Sequence, residues 1–432
     1  MLIDFTVENF RSIKEPVTLS AIANPSRETD RLENSAARRR IKPDSMIAPA
    51  FPVEGRGFAL LPVLGIFGAN ASGKSNVLKA LNRLFSLIHV GIGNANHFAP
   101  FLTPFNFDET TSLEPTRFRL RQVRQNNIYT YMLTVGQDRV IEESLEYIPA
   151  ASKRKTNKLL FSRDWDSKIG RYVWKNGDDF TGPHVQLEAS LQQHEIFLML
   201  LTKYLKVDAI EPLDDSIKNI WPSIGLEAEE LDYNLVMDLI GAHWPESMAL
   251  VSDIVRRFDT GIDHLEIKKR PNGPSENGFD LFAWHQTPLG LVRLPFYEES
   301  VGTQRLFVLA YKIIDAFRFG YTMLVDELGS NIHPNITREI IRQFQSPKSN
   351  PKRAQLIFTS HDNTLQQRNL LRRDQIWFTA KKDDGSTELY PLTDFKPRND
   401  LAIDKAYLDG RFGAVPVLPD EGDLLAGLEV AR

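Results

Sequence analysis

Residues 68–75, which read GANASGKS, fit the phosphate-binding loop pattern G-x-x-x-x-G-K-[ST]. An apolar run at residues 60–67, bounded by turn signals, precedes the loop and is typical of a buried strand. Apolar residues at helical spacing follow the loop from Val77 to Ile88. The loop therefore joins a predicted strand to the start of a predicted helix, which is the context that a P-loop needs. This unit indicates an α/β fold.

The residues of this loop have separate expected tasks. Backbone N–H groups and the helix N-terminus surround phosphate oxygens. Lys74 should reach the β- and γ-phosphates, and the Ser75 hydroxyl should ligate Mg²⁺. The predicted phosphate-binding residues are Gly68, Asn70, Ala71, Ser72, Gly73, Lys74, Ser75 and Asn76. A chance glycine-rich turn is the alternative, and the flanking strand and helix argue against it.

The stretch YTMLVDELGSNIHP at residues 321–334 carries a second group of candidate residues. Apolar residues lead into Asp326 and Glu327, as in the acidic strand of P-loop enzymes, the Walker B strand. Asp326 is expected to hold Mg²⁺ through its water shell, and Glu327 to orient or deprotonate an attacking water. The alternative is a buried strand that ends in solvated acids. Because the chain already has a P-loop, we favour the catalytic interpretation.

The stretch EESVGTQRLF at residues 298–307 combines a small turn with the start of an amphipathic helix. A serine hydroxyl and glycine N–H groups at a helix N-terminus can form a second anion site. Because the P-loop already serves this chain's own phosphate, a second cradle would serve the nucleotide of another subunit. The alternative is an ordinary helix N-cap formed by Ser300 or Thr303.

The stretch IFTSHD at residues 357–362 places His361 directly after an apolar strand. At that strand end His361 could contact a γ-phosphate or polarise the attacking water. A lone histidine after a strand is usually structural. Here it lies 34 positions after Glu327 (361 minus 327), in the next predicted strand unit, which favours a catalytic role.

Bulk composition excludes several classes of protein. The formal net charge is −4, so no basic field covers the whole chain, although local basic patches remain possible. The absence of cysteine excludes disulfides, thiolate zinc sites and cysteine nucleophiles. The start MLIDFTVENFRSIK is not a signal peptide, and the apolar run FALLPVLGIF is too short for the ~20 residues of a membrane span. We expect a cytoplasmic protein without membrane association.

The order of these motifs resembles the ABC-type ATPase heads of the SMC/RecF class. Residues 300–304 resemble the ABC signature, His361 resembles the switch histidine, and FTVENFRSIKEPVTLS resembles the first hairpin of those heads. The wide separation of P-loop and signature, 232 positions (300 minus 68), suits this class. The resemblance assigns signature residues that act in trans and D-loop residues. These are Ser300, Gly302, Thr303 and Gln304 for the signature, and Ser330, Asn331 and His333 for the D-loop.

The resemblance implies four parts. Residues 1–183 would form the first ATPase lobe with the P-loop and a β-rich part, and residues 184–261 an inserted helical lobe. Residues 262–400 would form the second ATPase lobe, and residues 401–432 a C-terminal segment that packs on the head. No sustained heptad follows residue 184, so a long coiled coil is not expected. The family's Q-loop glutamine has no clear counterpart, and Gln122 and Gln125 are candidates by position.

A closer resemblance covers nearly the whole chain. PFNFDE, FDTGIDHLEI, SVGTQRLF, DELGSNIHP, QLIFTSHD, RRDQIWFTAK and YLDGRFGAVPVL are similar to stand-alone ATPases of bacterial abortive-infection and anti-phage loci. These are the RloA/AbiL type, related to the AriA ATPase of the PARIS system. The resemblance implies ATP and Mg²⁺ as cofactors and a homodimer, or a higher homo-oligomer, built through an ATP sandwich.

The same resemblance implies a separately encoded effector, a TOPRIM-like nuclease of the RloB kind, and a phage protein as the trigger. Only 71 residues follow His361 (432 minus 361), too few for a TOPRIM-like domain, so we expect no nuclease site in this chain.

Two other functions are compatible with the same sequence. A RecF-like DNA clamp would need a basic surface, for which residues 38–40, 153–155 and 268–270 are candidates. Solvated loop charge is the alternative for each run. In a nucleotide-gated scaffold, ATP binding rather than turnover would hold the partner. The scaffold uses the same residues as the ATPase, so the sequence does not separate the two.

Overall fold

The computed structural model describes residues 1–24, 50–90, 102–152, 156–213, 233–258, 260–270, 278–398 and 401–416. The strands, numbered in chain order, are β1 Leu2–Glu8, β2 Val17–Ser20, β3 Phe51–Pro52, β4 Ala59–Leu60, β5 Val63–Gly68, β6 Thr116–Arg124, β7 Asn127–Val135, β8 Val140–Ile148, β9 Lys158–Asp166, β10 Arg171–Asn176, β11 Ile262–Lys269, β12 Phe279–Thr287, β13 Gly290–Pro295, β14 Thr322–Val325, β15 Gln355–Thr359, β16 Ile376–Lys381 and β17 Thr387–Pro391. The α-helices are α1 Lys74–Val90, α2 His184–Ser190, α3 Phe197–Tyr204, α4 Tyr233–His243, α5 Ser247–Arg257, α6 Val301–Phe319, α7 Pro334–Gln345 and α8 Ile403–Leu408.

A five-stranded sheet in the order β14-β15-β5-β16-β17 positions the site. Its first four strands are parallel, and β17 pairs antiparallel with β16 at the edge. All six residues of β5 are buried, as expected for a central strand covered on both faces. The strand that precedes His361 lies between the P-loop strand and the strand that precedes Asp326. Because these three strands are parallel, their carboxyl ends place all three motifs at one edge of the sheet.

A seven-stranded antiparallel sheet in the order β10-β9-β8-β7-β6-β1-β2 forms the β-rich part. Strand β1 alternates in sequence and pairs with β2 and β6, so the N-terminal hairpin is the edge of this sheet. A separate antiparallel sheet, β11-β12-β13, lies beside α4 and α5. The strands predicted for residues 115–175 and 262–295 are confirmed.

Two hydrophobic cores meet at β5, because alternate side chains of a strand point to opposite faces. Leu64 and Ile66 belong to the first core, with the antiparallel sheet and α1. Val63 and Phe67 belong to the second core, with α6 and α7. The predicted helical lobe divides between them: side chains of α3 lie in the first core, and side chains of α4 and α5 lie in the second. We therefore propose that the boundary of the two lobes falls within residues 184–261.

A buried ionic network fixes α3 to the antiparallel sheet. Glu143 in β8 accepts hydrogen bonds from the N–H groups of Phe197 and Leu198 at the start of α3, each at 2.9 Å. Arg163 in β9 donates to the same carboxylate at 2.9 Å, and both charged side chains are fully buried. The carboxylate therefore satisfies unpaired N–H groups at a helix N-terminus. This contact explains why the first half of the predicted helical lobe belongs to the first core.

The C-terminal segment packs on the second core as far as the structure describes it. Tyr407 of α8 and Phe412 stack on Phe378 of β16, with ring centroids 5.4 and 5.6 Å apart. Within the described ranges the longest helix is α6, with 19 residues, so the expectation of no long coiled coil holds there. No helix in the described residues is long and apolar enough to cross a membrane.

Candidate nucleotide site

The P-loop lies between the end of β5 and the start of α1, as the sequence predicts. Two glycines in it have no room for a side chain. A Cβ on Gly68 would lie 2.5 Å from the Thr379 carbonyl oxygen, and one on Gly73 would lie 2.0 Å from Thr387 Oγ1. Gly73 also has φ +100°, a backbone conformation that favours glycine. Strands β16 and β17 therefore contact the P-loop directly and restrict its backbone conformation.

The contact between Gly73 and Thr387 allows a test of how strand β17 shapes the phosphate-binding loop. We expect Gly73→Ala to weaken ATP binding by roughly 10- to 100-fold, because overpacking of this kind costs ~1–3 kcal/mol. Titration with a fluorescent ATP analogue measures the change. Gly170→Ala is the matched control, since Gly170 has φ +65° and a Cβ added there would meet nothing within 4 Å. Equal affinities in the two variants would contradict a cradle shaped by β17.

Lys74 is folded back over the loop in this structure. Its Nζ donates hydrogen bonds to the carbonyl oxygens of Gly68 and Ala69, both at 2.9 Å. Burial lowers the pKa of Lys74, and the nearby carboxylates of Asp326 and Glu327 oppose that shift. The buried ammonium therefore lacks a close anionic partner among the loop atoms. A phosphate group, with its strong acceptor oxygens, fits this position.

A cluster of oxygen atoms lies where the sequence predicts the magnesium site. Ser75 Oγ donates to Asp326 Oδ1 at 3.0 Å, and Thr359 Oγ1 donates to the same carboxylate oxygen. Hydroxyl and carboxylate oxygens are the hard ligands that Mg²⁺ prefers, completed by water and phosphate oxygens. No group of three or more histidines and carboxylates suited to a metal occurs in the described residues. The residues present fit a magnesium ion that is shared with a nucleotide.

The two predicted catalytic side chains come together on the open side of this cluster. His361 Nε2 lies 3.6 Å from Glu327 Oε1, and the side chains are 45% and 54% exposed. Glu327 has φ +51°, an uncommon value for a residue with a side chain. Its N–H donates to Thr359 Oγ1 at 2.8 Å. Thr359, which the sequence patterns did not single out, thus contacts both the predicted magnesium ligand, Asp326, and the backbone of the predicted catalytic carboxylate, Glu327.

Arg305 is a second residue that the sequence patterns did not single out. It lies in the first turns of α6, and its Nη2 donates to the carbonyl oxygens of Asp326 and Glu327, both at 3.0 Å. The side chain is buried, and this burial lowers the pKa of its guanidinium. Arg305 therefore connects the helix that carries the predicted signature to the backbone of the predicted base. Its position directly after Gln304 is the only signal in the sequence that could have drawn attention to it.

We expect Arg305→Met to lower the rate of ATP hydrolysis by roughly 10- to 100-fold, because displacement of a catalytic group by about 1 Å has this effect. ATP affinity should change little, since the described contacts of Arg305 go to carbonyl oxygens behind the site. Steady-state kinetics separate kcat from KM, and thermal melting checks the fold. Arg305→Lys should recover part of the rate. A fall in affinity with kcat unchanged would contradict the positioning role.

The predicted signature forms the N-terminus of α6. Ser300 is the N-cap, and its Oγ accepts a hydrogen bond from Thr303 N at 3.1 Å. Gln304 Nε2 donates to the carbonyl oxygens of Tyr297 and Glu299, at 3.2 and 2.9 Å. Within a single chain, Ser300 therefore acts as an ordinary helix N-cap, which is the alternative given above. It leaves the free N–H groups of the helix end available to an anion, so the trans role of these residues stays a prediction.

The signature lies against the predicted D-loop of the same chain. A Cβ on Gly302 would lie 2.4 Å from the carbonyl oxygen of Asn331, which explains the glycine. Ser330 N donates to Glu327 O at 3.0 Å, so the predicted D-loop begins in a turn that starts at the predicted catalytic residue. His333 Nδ1 accepts from Asn335 N at 3.2 Å and caps α7. Any D-loop role of these side chains toward a second subunit stays a prediction.

The N-terminal hairpin contacts the P-loop through a serine. Ser12 Oγ accepts a hydrogen bond from Asn76 Nδ2 at 2.7 Å. Asn9, by contrast, donates to the carbonyl oxygens of Thr111 and Glu114, both at 2.8 Å, and organises the segment beside the hairpin. The segment Asn9-Phe10-Arg11 of this hairpin lies directly before Ser12. In this chain the serine that follows it makes the described contact with the loop.

The two Q-loop candidates lie at the wrong end of the sheets. Gln122 lies opposite Leu2 in the pairing of β6 with β1. The Leu2 N–H in turn donates a hydrogen bond to the side chain of Gln355, the first residue of β15. His361 follows the other end of β15. Gln125 lies three residues beyond Gln122 in the turn after β6. Both glutamines are therefore far from the P-loop edge, and the interpretation of either as the Q-loop residue is wrong.

Of the three basic runs considered for DNA, two, residues 38–40 and 153–155, lie outside the described residues. In the third run, residues 268–270, two basic side chains form ion pairs with acidic residues. Lys268 Nζ lies 3.2 Å from Glu266 Oε1, and Arg270 Nη2 lies 2.7 Å from Asp280 Oδ1. Surface pairs of this kind are weak, but they lower the positive potential of the strand. The described run therefore offers little to attract DNA.

A P-loop, an acidic strand end and a histidine at one edge of a mainly parallel sheet, with a signature-like helix start beside them, define an ABC-type ATPase head. Residues 63–365 match the family model described as "AAA domain, putative AbiEii toxin, Type IV TA system". Because the match spans well over half of the chain, the chain belongs to this family. No curated protein matches the chain.

Among solved structures, the chain is similar to SMC heads. One is an SMC head bound to the C-terminal winged-helix domain of ScpA, with 14% identity, a TM-score of 0.45, and coverage of 92% of this chain and 99% of that chain. A second is the SMC head domain from Thermotoga maritima, with 12% identity, a TM-score of 0.39, and coverage of 90% and 98%. A third, from Pyrococcus furiosus, was solved with the C-terminal domain of ScpA. It has 11% identity, a TM-score of 0.42, and coverage of 95% and 98%.

Proposed function

We propose that two copies of this chain bind MgATP between them, head to tail, and hydrolyse it slowly. The observation that carries the proposal is the open position of the predicted catalytic pair. Glu327 and His361 are about half exposed at the edge of the sheet, whereas Lys74 and Asp326 behind them are buried. Closing such a site expels bulk water and strengthens the electrostatic interactions that assist hydrolysis. A second copy that brings Ser300 and the free N–H groups of its α6 would close it.

Within such a site each residue has a task that its geometry supports. The P-loop N–H groups and Lys74 bind the phosphates. Ser75 and Asp326 hold the magnesium ion, which when bound neutralises phosphate charge. Glu327 orients the attacking water or accepts its proton, with His361 beside it. Backbone contacts from Thr359 and Arg305 keep Glu327 in place.

We further propose that this ATPase acts in abortive infection as the sensor or scaffold of a separately encoded effector, a TOPRIM-like nuclease, and that a phage protein triggers release. The family description, which names a toxin of a toxin–antitoxin system, supports this direction. The motif series from PFNFDE to YLDGRFGAVPVL supports it independently. A cytoplasmic location and the absence of nuclease activity from this chain belong to the same proposal.

Co-expression with the product of the neighbouring reading frame tests the effector step. We expect pull-down of a partner protein with ATP and its loss without ATP. Salt-sensitive binding of duplex DNA by the isolated chain, with no partner captured, would instead support a DNA clamp.

A further inference from the structure

Exposed apolar side chains occur on both faces of the edge strand β13 and continue to the signature, and together they are called the strip. Such a run is unusual, because exposed apolar strand edges promote association. Leu289 at the hairpin tip is 95% exposed, and Tyr297 and Val301 beside the signature are 66% and 62% exposed. The full strip is Leu289, Leu291, Val292, Leu294, Tyr297 and Val301. Among the described strands, β13 pairs only with β12, so its outer edge is open.

A hydrogen bond connects the strip to the signature. Gln304 in the first turn of α6 donates to the Tyr297 carbonyl oxygen at 3.2 Å. Tyr297 also borders a cavity of about 340 Å³, whose walls include Phe279, Leu281 and Pro295. The surface beside the signature thus offers both an apolar edge and a pocket large enough for an aromatic side chain. Aromatic residues that fill such pockets contribute most of the affinity at protein interfaces.

A second exposed apolar patch lies at the rim of the P-loop. Phe107 and Leu113 are 72% and 73% exposed. The Phe107 ring lies 2.8 Å from a Cβ position on Gly385, in the turn between β16 and β17. The same turn leads into strand β17, which contacts Gly73 of the P-loop through Thr387, so the Phe107 ring lies beside the strand that contacts the P-loop. One chain therefore carries a protruding apolar patch beside its P-loop and an apolar strip beside its signature.

We propose that the strip from Leu289 to Val301 binds the rim around Phe107 and Leu113 on a second copy of this chain. The inference rests on the proposed head-to-tail pair, because only that arrangement brings the signature face of one copy to the P-loop face of the other. Continuity with the signature and the matching patch on the same chain favour a second copy over another protein. The contact adds apolar area to an interface that ATP alone would otherwise hold.

The absence of native cysteine makes this contact directly testable. Tyr297→Cys and Phe107→Cys are introduced into separate copies of the full chain that carry Glu327→Gln to slow hydrolysis. We expect the mixed copies to form a covalent dimer with ATP and a short bismaleimide, and each variant alone to give none. Leu250→Cys, an exposed apolar position on α5, mixed with Phe107→Cys is the matched control and should not cross-link.

Light scattering of the same samples separates this inference from the proposed function. An ATP-dependent dimer without the Tyr297–Phe107 cross-link would overturn the inference and leave the ATP sandwich in place. No ATP-dependent dimer would remove both. Cross-linking of Val292→Cys copies with each other would show edge-to-edge pairing of β13 and would also overturn it. In addition, Phe107→Ser should weaken the ATP-dependent dimer by roughly 10-fold or more, and Leu250→Ser should not.

Discussion

Replacing Glu327 by glutamine is expected to lower the rate of ATP hydrolysis by ~10²–10⁴-fold and to leave ATP binding intact. The amide keeps the size of the carboxylate but cannot accept the proton of the attacking water. Two hydrogen bonds hold this residue: its N–H donates to Thr359 Oγ1, and its carbonyl oxygen accepts from Arg305 Nη2. Both involve only the backbone of residue 327 and persist in the variant. The loss should therefore fall on kcat.

Phosphate release under steady-state conditions, together with equilibrium ATP titration, measures both quantities. Glu298→Gln is the matched control, since Glu298 is an exposed acid near the signature without a predicted role in the site. The assignment of the base is contradicted if Glu327→Gln hydrolyses ATP as fast as the wild type.

Replacing Lys74 by alanine is expected to weaken ATP binding by roughly 30-fold or more. The ammonium is the cation that the P-loop itself supplies, and its described hydrogen bonds go to uncharged carbonyl oxygens of the loop. Burial lowers its pKa, so phosphate oxygens offer it a strongly favourable partner. Because ATP should bridge two copies, this variant should also lose ATP-dependent dimerisation.

Calorimetric titration with MgATP measures the affinity, and light scattering measures the dimer. Lys79→Ala, in the same helix but partly exposed, is the control for the loss of a lysine. Retention of tight ATP binding in Lys74→Ala would contradict the P-loop assignment.

The two variants together separate turnover from binding. If ATP binding alone holds a partner, Glu327→Gln should still capture it and Lys74→Ala should not. If turnover is required, neither variant should capture it.

The local parts of the site could be predicted from the sequence because each is a short pattern with its own physical signature. The P-loop between a strand and a helix, Asp326 and Glu327 after a strand, and His361 after another strand are of this kind. Parallel strands bring their carboxyl ends to one edge, so the meeting of these residues followed from the strand assignment.

The supporting residues could not be predicted, because their roles depend on contacts between distant parts of the chain. Thr387 contacts Gly73 across 314 positions (387 minus 73), and no local pattern distinguishes it from other strand threonines. Arg305 donates to backbone carbonyl oxygens, which every residue carries, so a residue pattern does not identify its partners. The interpretation of Gln122 was wrong because position along the chain does not reveal which end of a sheet a residue occupies.

The central claim is that one ATP site is built from two copies. It is tested most directly by mixing Lys74→Ala subunits with subunits that carry Ser300→Arg. Each variant alone should be inactive, since one lacks a working P-loop and the other a working signature. A mixed dimer regains one complete site, so the mixture should hydrolyse ATP at about a quarter of the wild-type rate. Hydrolysis at the wild-type rate by Ser300→Arg alone, or a mixture as inactive as its components, would contradict a shared site.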